Sequence, residues 1–346
     1  MKKNNSFSFF SFIYTLLTMA FFILAFWGVT YTADWAGYEQ SFENDLERRD
    51  LAFGFIGSIM ANLGQFEYQS VYRAHVVLMG ILFPFFISRW QKNPFFVSTI
   101  FVILTYVGLA NQIRFYVAFP LVLIGFYALI CKKNWFSFAL FSVLAYVFHS
   151  SILFFIVVVL FFYFHILKRE RLVTNIVLIN IFLAIISFWG LKFINQLIGE
   201  FSVYLVSDKL STLAGGIYSA FPSMLAIGLV LFSNHKLKRT NPDLLSNNYY
   251  KYLLVLSVAT SVLLTLSFRT QIVRHRFIAP LLLIWIIYFL FVGKNSKHLK
   301  QFSRLSIVVI VLITAAWQTI VPFYLGVSDT LIDPELILTL NSIEFK

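Results

Sequence analysis

The sequence predicts an all-α, polytopic integral membrane protein: a bundle of about eleven transmembrane helices in a single transmembrane domain over residues 1–346. Three observations carry this. Hydrophobic residues make up 60% of the chain, and the mean hydropathy is +0.82. Apolar stretches of roughly 17 to 25 residues recur, each about long enough to cross a bilayer. The polar breaks between them are basic at every second position along the chain. Phe occurs 42 times, which suits packing between helices and against lipid, so these rings are assigned no chemistry. With one cysteine, Cys131, neither a disulfide framework nor a multi-cysteine metal site is expected.

Taken in order, Met1-Lys2-Lys3 precedes a run over residues 7–29 that is long for a signal peptide and lacks a clean small-residue cleavage site, so it reads as a retained first span. Further runs cover 74–88, 94–110, 115–131, 134–148, 150–167, 172–190, 217–233, 249–268, 275–293 and 302–324. The fifth span, 134–148, is short enough to be tilted or broken. Between spans one and two lies a long segment, residues 31–73, rich in acids. Its stretch Leu51 to Met60 is apolar but short and Gly-containing, which predicts an interfacial or re-entrant helix. In the tail, residues 325–346, Asp333 and Pro334 are placed to open a short surface helix.

Sorting charge by side gives the orientation. On the N-terminal side stand 17 of the 27 Lys and Arg but only 2 of the 15 Asp and Glu. The positive-inside bias therefore puts the N-terminus in the cytoplasm and the C-terminus outside. The formal charge of +12 is then accounted for by the membrane, and no nucleic-acid partner is expected.

Against that bias, two arginine-containing clusters directly join apolar spans on the outer side. Arg114 opens the fourth span after the short turn Asn111-Gln112-Ile113, and Arg269, Arg274, His275 and Arg276 crowd the hairpin before the tenth span. A phosphate-bearing substrate is the simplest reason, because each guanidinium can present a fork of donors to phosphoryl oxygens. For Arg114, pairing with an outer acid or snorkelling to lipid phosphate competes with that reading. His149, in the turn Phe148-His149-Ser150-Ser151, is a candidate proton acceptor, with helix capping as the plain alternative. Asp34 is a second candidate base, and the neighbouring Trp35 and Tyr38 are candidates either for stacking on a sugar ring or for interfacial anchoring. His75 opens the second span from outside, while His165, His235 and His298 fall at cytoplasmic ends. P-loop, H-E-x-x-H, G-x-S-x-G and D-x-D spacings do not occur, which disfavours ATP-driven transport, zincin proteolysis and metal-dependent sugar-nucleotide transfer.

Together Asp34-Trp35-Ala36-Gly37-Tyr38, the segment Asp50 to Gly64, Ile113-Arg114, Lys132-Lys133, Phe148-His149-Ser150-Ser151 and Arg274-His275-Arg276-Phe277 resemble the EpsG family, relatives of the Wzy-type O-antigen and capsule polymerases. Family members often have Arg-Gln where this chain has Arg114-Phe115, and Glu where it has Asp50. The resemblance implies a GT-C-like helical fold in the bacterial inner membrane. It implies an enzyme that joins oligosaccharide repeat units carried on undecaprenyl diphosphate, without metal or other cofactor, at the outer face. Its partners would be that lipid-linked oligosaccharide, membrane lipids, a flippase and a chain-length regulator. On this reading Arg114, Arg274 and Arg276 hold the diphosphate with Arg269 in support. His149 or Asp34 takes the hydroxyl proton, and Trp35, Tyr38 and His275 contact sugar.

Two rivals remain open. A flippase for the same lipid would need a charged path through the bilayer, and the apolar runs carry almost no ionisable residue. A membrane acyltransferase decorating the polysaccharide would place its essential basic residues towards the cytoplasm.

Overall fold

In the computed structural model, residues 9–30, 32, 35–43, 50–64, 67–166, 172–185, 213–259, 261, 264 and 279–316 are described. They are helical with short connections, and no strand occurs among them. By contact the chain divides into two compact units, Met1–Leu153 with Leu338–Lys346, and Phe154–Ile337.

The first unit contains α1 (Phe9–Trp27), α2 (Trp35–Glu43), α3 (Leu51–Asn62), α4 (Tyr68–Ser88), α5 (Pro94–Asn111), α6 (Ile113–Lys132) and α7 (Trp135–Phe148). The five long helices run alternately up and down, and cross-links fix which ends meet. At one end Ser11 Oγ donates to the Lys92 carbonyl, and the Trp90 and Tyr127 rings meet edge to face 6.1 Å apart. At the other, Arg73 Nε donates to the Trp27 carbonyl and Tyr72 Oη to that of Ala110. Arg89, Lys92, Lys132 and Lys133 thus belong to the first end, Arg114 and His149 to the second.

Local sequence explains the reversals. Asn93 caps α5 by accepting from the Phe95 N–H, with Pro94 at the first helical position where its missing N–H costs nothing. At the Lys132-Lys133 turn, Lys133 adopts a left-handed conformation (φ 58°) and the Asn134 N–H closes back onto the Ala128 carbonyl. The Asn134 side chain then accepts from the Ser137 N–H and starts α7. The two helices pack closely because Gly125 leaves space, since a Cβ there would stand 3.2 Å from that of Phe141. Two threonines inside α1 are satisfied locally: Thr15 and Thr18 donate to carbonyls one turn back. Thr105, at a non-helical break in α5, donates to Phe101.

The second unit contains α8 (Ile152–Phe161, entered at the unit boundary and continued by a π-helical turn at Phe162–Ile166), α9 (Leu172–Ile185), α10 (Leu213–Thr240), α11 (Pro242–Ser246), α12 (Asn248–Ala259), α13 (Leu282–Asn295) and α14 (Lys300–Ala315). Its core is α12 against α13, joined by a neutral network. Tyr250 Oη donates to Asn234 Oδ1 (2.8 Å) and lies 3.3 Å from Tyr288 Oη, while Trp285 Nε1 donates to the Ser257 carbonyl.

Among the described residues, four helical segments, Phe9–Trp27, Tyr68–Ser88, Ile113–Lys132 and Lys297–Ala315, are long and apolar enough to cross a membrane, and six more apolar helices are shorter. The chain is a multi-pass membrane protein. Each of the eleven expected spans overlaps a described helix, and α7 is indeed short, at 14 residues. The apolar stretch after Asp50 forms the complete helix α3, which buries Ala52, Phe53, Ile56 and Gly57 and leaves Leu51, Phe55 and Leu63 exposed. The expected helix at Asp333 lies outside the described residues.

Candidate functional site

The second end of the first unit gathers polar residues that are far apart in sequence. Asp50 occupies the N-cap position of α3, yet its side chain makes no capping bond to that helix. One carboxylate oxygen instead lies 2.9 Å from Arg114 Nη1, and the other accepts the Ser150 N–H at 3.1 Å. A single carboxylate therefore ties the start of α3 to the start of α6 and to the turn after α7.

Arg114 stands in the first turn of α6, where the helix dipole disfavours positive charge. Three things compensate. Asp50 supplies the counter-charge, the Tyr38 ring of α2 lies 4.1 Å from Cζ, and the Phe53 ring of α3 lies 5.0 Å from it. The side chains of Arg114 and Asp50 are 16% and 5% exposed. In so dry a place, removing either partner leaves an uncompensated charge, at a cost of about 3–5 kcal/mol. Arg114 Nε is buried with no hydrogen-bond partner among the described residues.

His149 follows α7 in extended conformation, and its N–H closes the helix onto the Ala145 carbonyl. Its ring meets Phe115 edge-on at 5.5 Å. The Ser151 N–H points at His149 Nδ1 (3.3 Å), and the Ser151 hydroxyl lies 2.9 Å from the same atom. A backbone N–H only donates, so Nδ1 is the accepting nitrogen, and a neutral ring carries its proton on Nε2. The capping reading of His149 thus has a counterpart in the geometry, with Nδ1 taken up by Ser151.

Of the remaining sequence candidates, Tyr38 joins the cluster through Arg114. Trp35 is 5% exposed and packs against Tyr68 and Tyr72, at 4.7 and 5.2 Å. Asp34, Arg269, Arg274, His275 and Arg276 lie outside the described residues. Among the described residues, no three His, Cys, Asp or Glu side chains form a group suited to a metal ion.

Sequence reasoning passed over Asp50 as a site residue. Its signals were an acid immediately before an apolar stretch, which ordinarily marks a cap, and its place where the resembled family often has Glu. That the carboxylate would reach across to Arg114 depends on three helix ends meeting, which no local pattern encodes.

Neither a curated protein nor a solved structure matches the chain. The EpsG family model matches residues 4–327, a stretch that takes in most of each unit and every site residue named above, and the chain belongs to the EpsG family.

Proposed function

We propose that this protein is a polysaccharide polymerase, a glycosyltransferase that joins oligosaccharide repeat units carried on undecaprenyl diphosphate at the outer face of the bacterial inner membrane. The eleven crossings, the GT-C-like class and the cytoplasmic N-terminus are part of the same proposal. Family membership supports it, and one observation carries it: a largely buried arginine, its carboxylate and a histidine turn converge at one end of an apolar helix bundle. That end lies opposite the basic loops of the first unit, so the positive-inside bias assigns it to the outer face.

In the proposed reaction a hydroxyl at the non-reducing end of the incoming unit attacks the anomeric carbon of the growing chain. The new C–O bond forms as the bond to the lipid diphosphate breaks, and the electron pair leaves with the diphosphate. Arg114, Arg274 and Arg276, with Arg269 in support, offset the charge that develops there, and no metal or other cofactor takes part. For Arg114 the partner is already in place, so phosphate shares the guanidinium with Asp50, and Nε is a donor still to be used. Asp34 takes the hydroxyl proton, while His149, with Nδ1 already accepting from Ser151, offers its Nε2 proton as a donor. Tyr38 and His275 are assigned to sugar contacts, and Trp35, covered by Tyr68 and Tyr72, to holding α2 against α4. A flippase and a chain-length regulator are the proposed protein partners.

The test is to delete the gene, complement with wild type or Arg114→Ala, and size lipid-linked glycans from the membranes. Single repeat units that accumulate at the outer face and are polymerised only by wild type are expected. Full-length polymer from Arg114→Ala would remove this arginine from the mechanism. Units held at the cytoplasmic face, or full-length polymer lacking only an acyl group, would give the protein to a flippase or an acyltransferase instead.

A further inference from the structure

His75, in the second turn of α4, is 1% exposed and has no part in the mechanism above. Its Nδ1 lies 2.8 Å from the Val71 carbonyl oxygen one turn earlier. A carbonyl only accepts, so this nitrogen carries the proton, and Nε2 of the neutral ring is a lone-pair acceptor. No donor among the described residues meets it. This is the opposite tautomer to that of His149, whose Nδ1 accepts.

The ring is held in place. Phe53 stands 6.1 Å away on α3, and Phe148, at the end of α7, meets it nearly perpendicular at 6.2 Å. Phe53 is also the ring beside Arg114. Two buried atoms without partners therefore flank one phenyl ring: an acceptor, His75 Nε2, and a donor, Arg114 Nε. Leaving a buried acceptor unmet costs about 1–3 kcal/mol, and such groups persist chiefly where water or a ligand completes them. The ligand chemistry at His75 follows from its lone pair. A phosphate dianion has nothing to donate to His75, whereas sugar hydroxyls both donate and accept.

We propose that His75 Nε2 is the acceptor that positions a sugar hydroxyl of the incoming repeat unit, beside Arg114. This rests on the polymerase reading above. It makes His75 a specificity residue for the sugar, distinct from the arginines that face the diphosphate.

The experiment uses the full chain in nanodiscs with ¹⁵N-labelled histidine, and the probes are lipid-linked repeat units extracted from the deletion strain and undecaprenyl diphosphate alone. The His75 signal, identified by its loss in His75→Phe, should show a bare Nε2 acceptor that becomes hydrogen-bonded on adding the repeat unit but not on adding undecaprenyl diphosphate. In turnover assays His75→Phe should raise the KM for the unit about tenfold with a smaller change in kcat. His75→Gln, which keeps an acceptor near the Nε2 position, should recover most of that loss. An Nε2 already bonded before ligand and unchanged by it would assign the acceptor to a resident water and overturn the proposal. An equal response to undecaprenyl diphosphate, or unaltered KM in His75→Phe, would overturn it as well. Polymer formation by wild type in the same preparation tests the polymerase reading separately: a sugar-dependent His75 signal without polymer keeps the subsite and rejects the reaction.

Discussion

Two buried polar networks, one in each unit, are built on different principles. In the first unit Asp50 and Arg114 form an ion pair at the ends of helices, ringed by Tyr38, Phe53 and the His149 turn. In the second, Tyr250, Asn234 and Tyr288 form a neutral chain of hydrogen bonds, with Tyr250 and Tyr288 1% and 0% exposed. A neutral network among apolar helices adds packing specificity at modest desolvation cost. A charged one is costly to bury and is seldom more stabilising than apolar residues of similar volume. The ionic cluster therefore calls for a reason beyond stability, and the neutral one does not.

The sharpest way to break this comparison is to remove charge on one side and hydroxyl on the other. Asp50→Asn should lower the stability of the purified protein by about 3–5 kcal/mol, because Arg114 loses its counter-charge in a largely dry site. It should show as a reduced melting midpoint and a smaller folded yield. A midpoint equal to wild type would mean that water reaches the guanidinium freely.

Removing both partners should separate stability from function. Asp50→Asn combined with Arg114→Met should recover most of the lost stability, since no isolated charge remains. Polymer should still be absent in complemented cells. Restored polymer in that double variant would reduce the pair to a packing device.

By contrast, Tyr250→Phe should cost about 1–3 kcal/mol, because it leaves the buried Asn234 Oδ1 without its donor. Polymer length should be unchanged on glycan gels, and a shift in length would bring the second network into the chemistry. Smallest of all, Lys133→Gly should stabilise by about 1 kcal/mol by relieving the left-handed backbone at φ 58°. Thermal unfolding would check this, and a lower midpoint would show that the lysine side chain matters more than its backbone.

Much of the scaffold was legible from composition alone. Helix α4 starts six residues before its expected span, and α5 and α6 match theirs to within two residues at each end, because hydrocarbon thickness sets the length of an apolar run. The turn at Lys132-Lys133-Asn134 was equally readable as a break, since two lysines cannot lie in lipid and asparagine starts helices. The interfacial or re-entrant reading of Leu51 to Met60 identified a helix there. Its full role, presenting Asp50 and Phe53 to Arg114, was not visible.

Arg114 and His149 were found because charge and imidazole are conspicuous in an apolar chain. Their partners were not, because the segment over residues 31–73 offers many acids, and only the meeting of three helix ends selects Asp50. His75 shows the same limit: a histidine at the start of a span has no evident role until Val71, Phe53 and Phe148 fix its tautomer and surroundings. The sequence by itself determined that this chain is a helical membrane protein, which stretches are apolar, and which loops are basic, since hydropathy and net charge are sums over neighbouring residues. Only the tertiary structure decided which carboxylate neutralises the arginine and which nitrogen of His75 and of His149 accepts, because hydrogen bonds and ion pairs act over about 3 Å between groups as much as 100 residues apart.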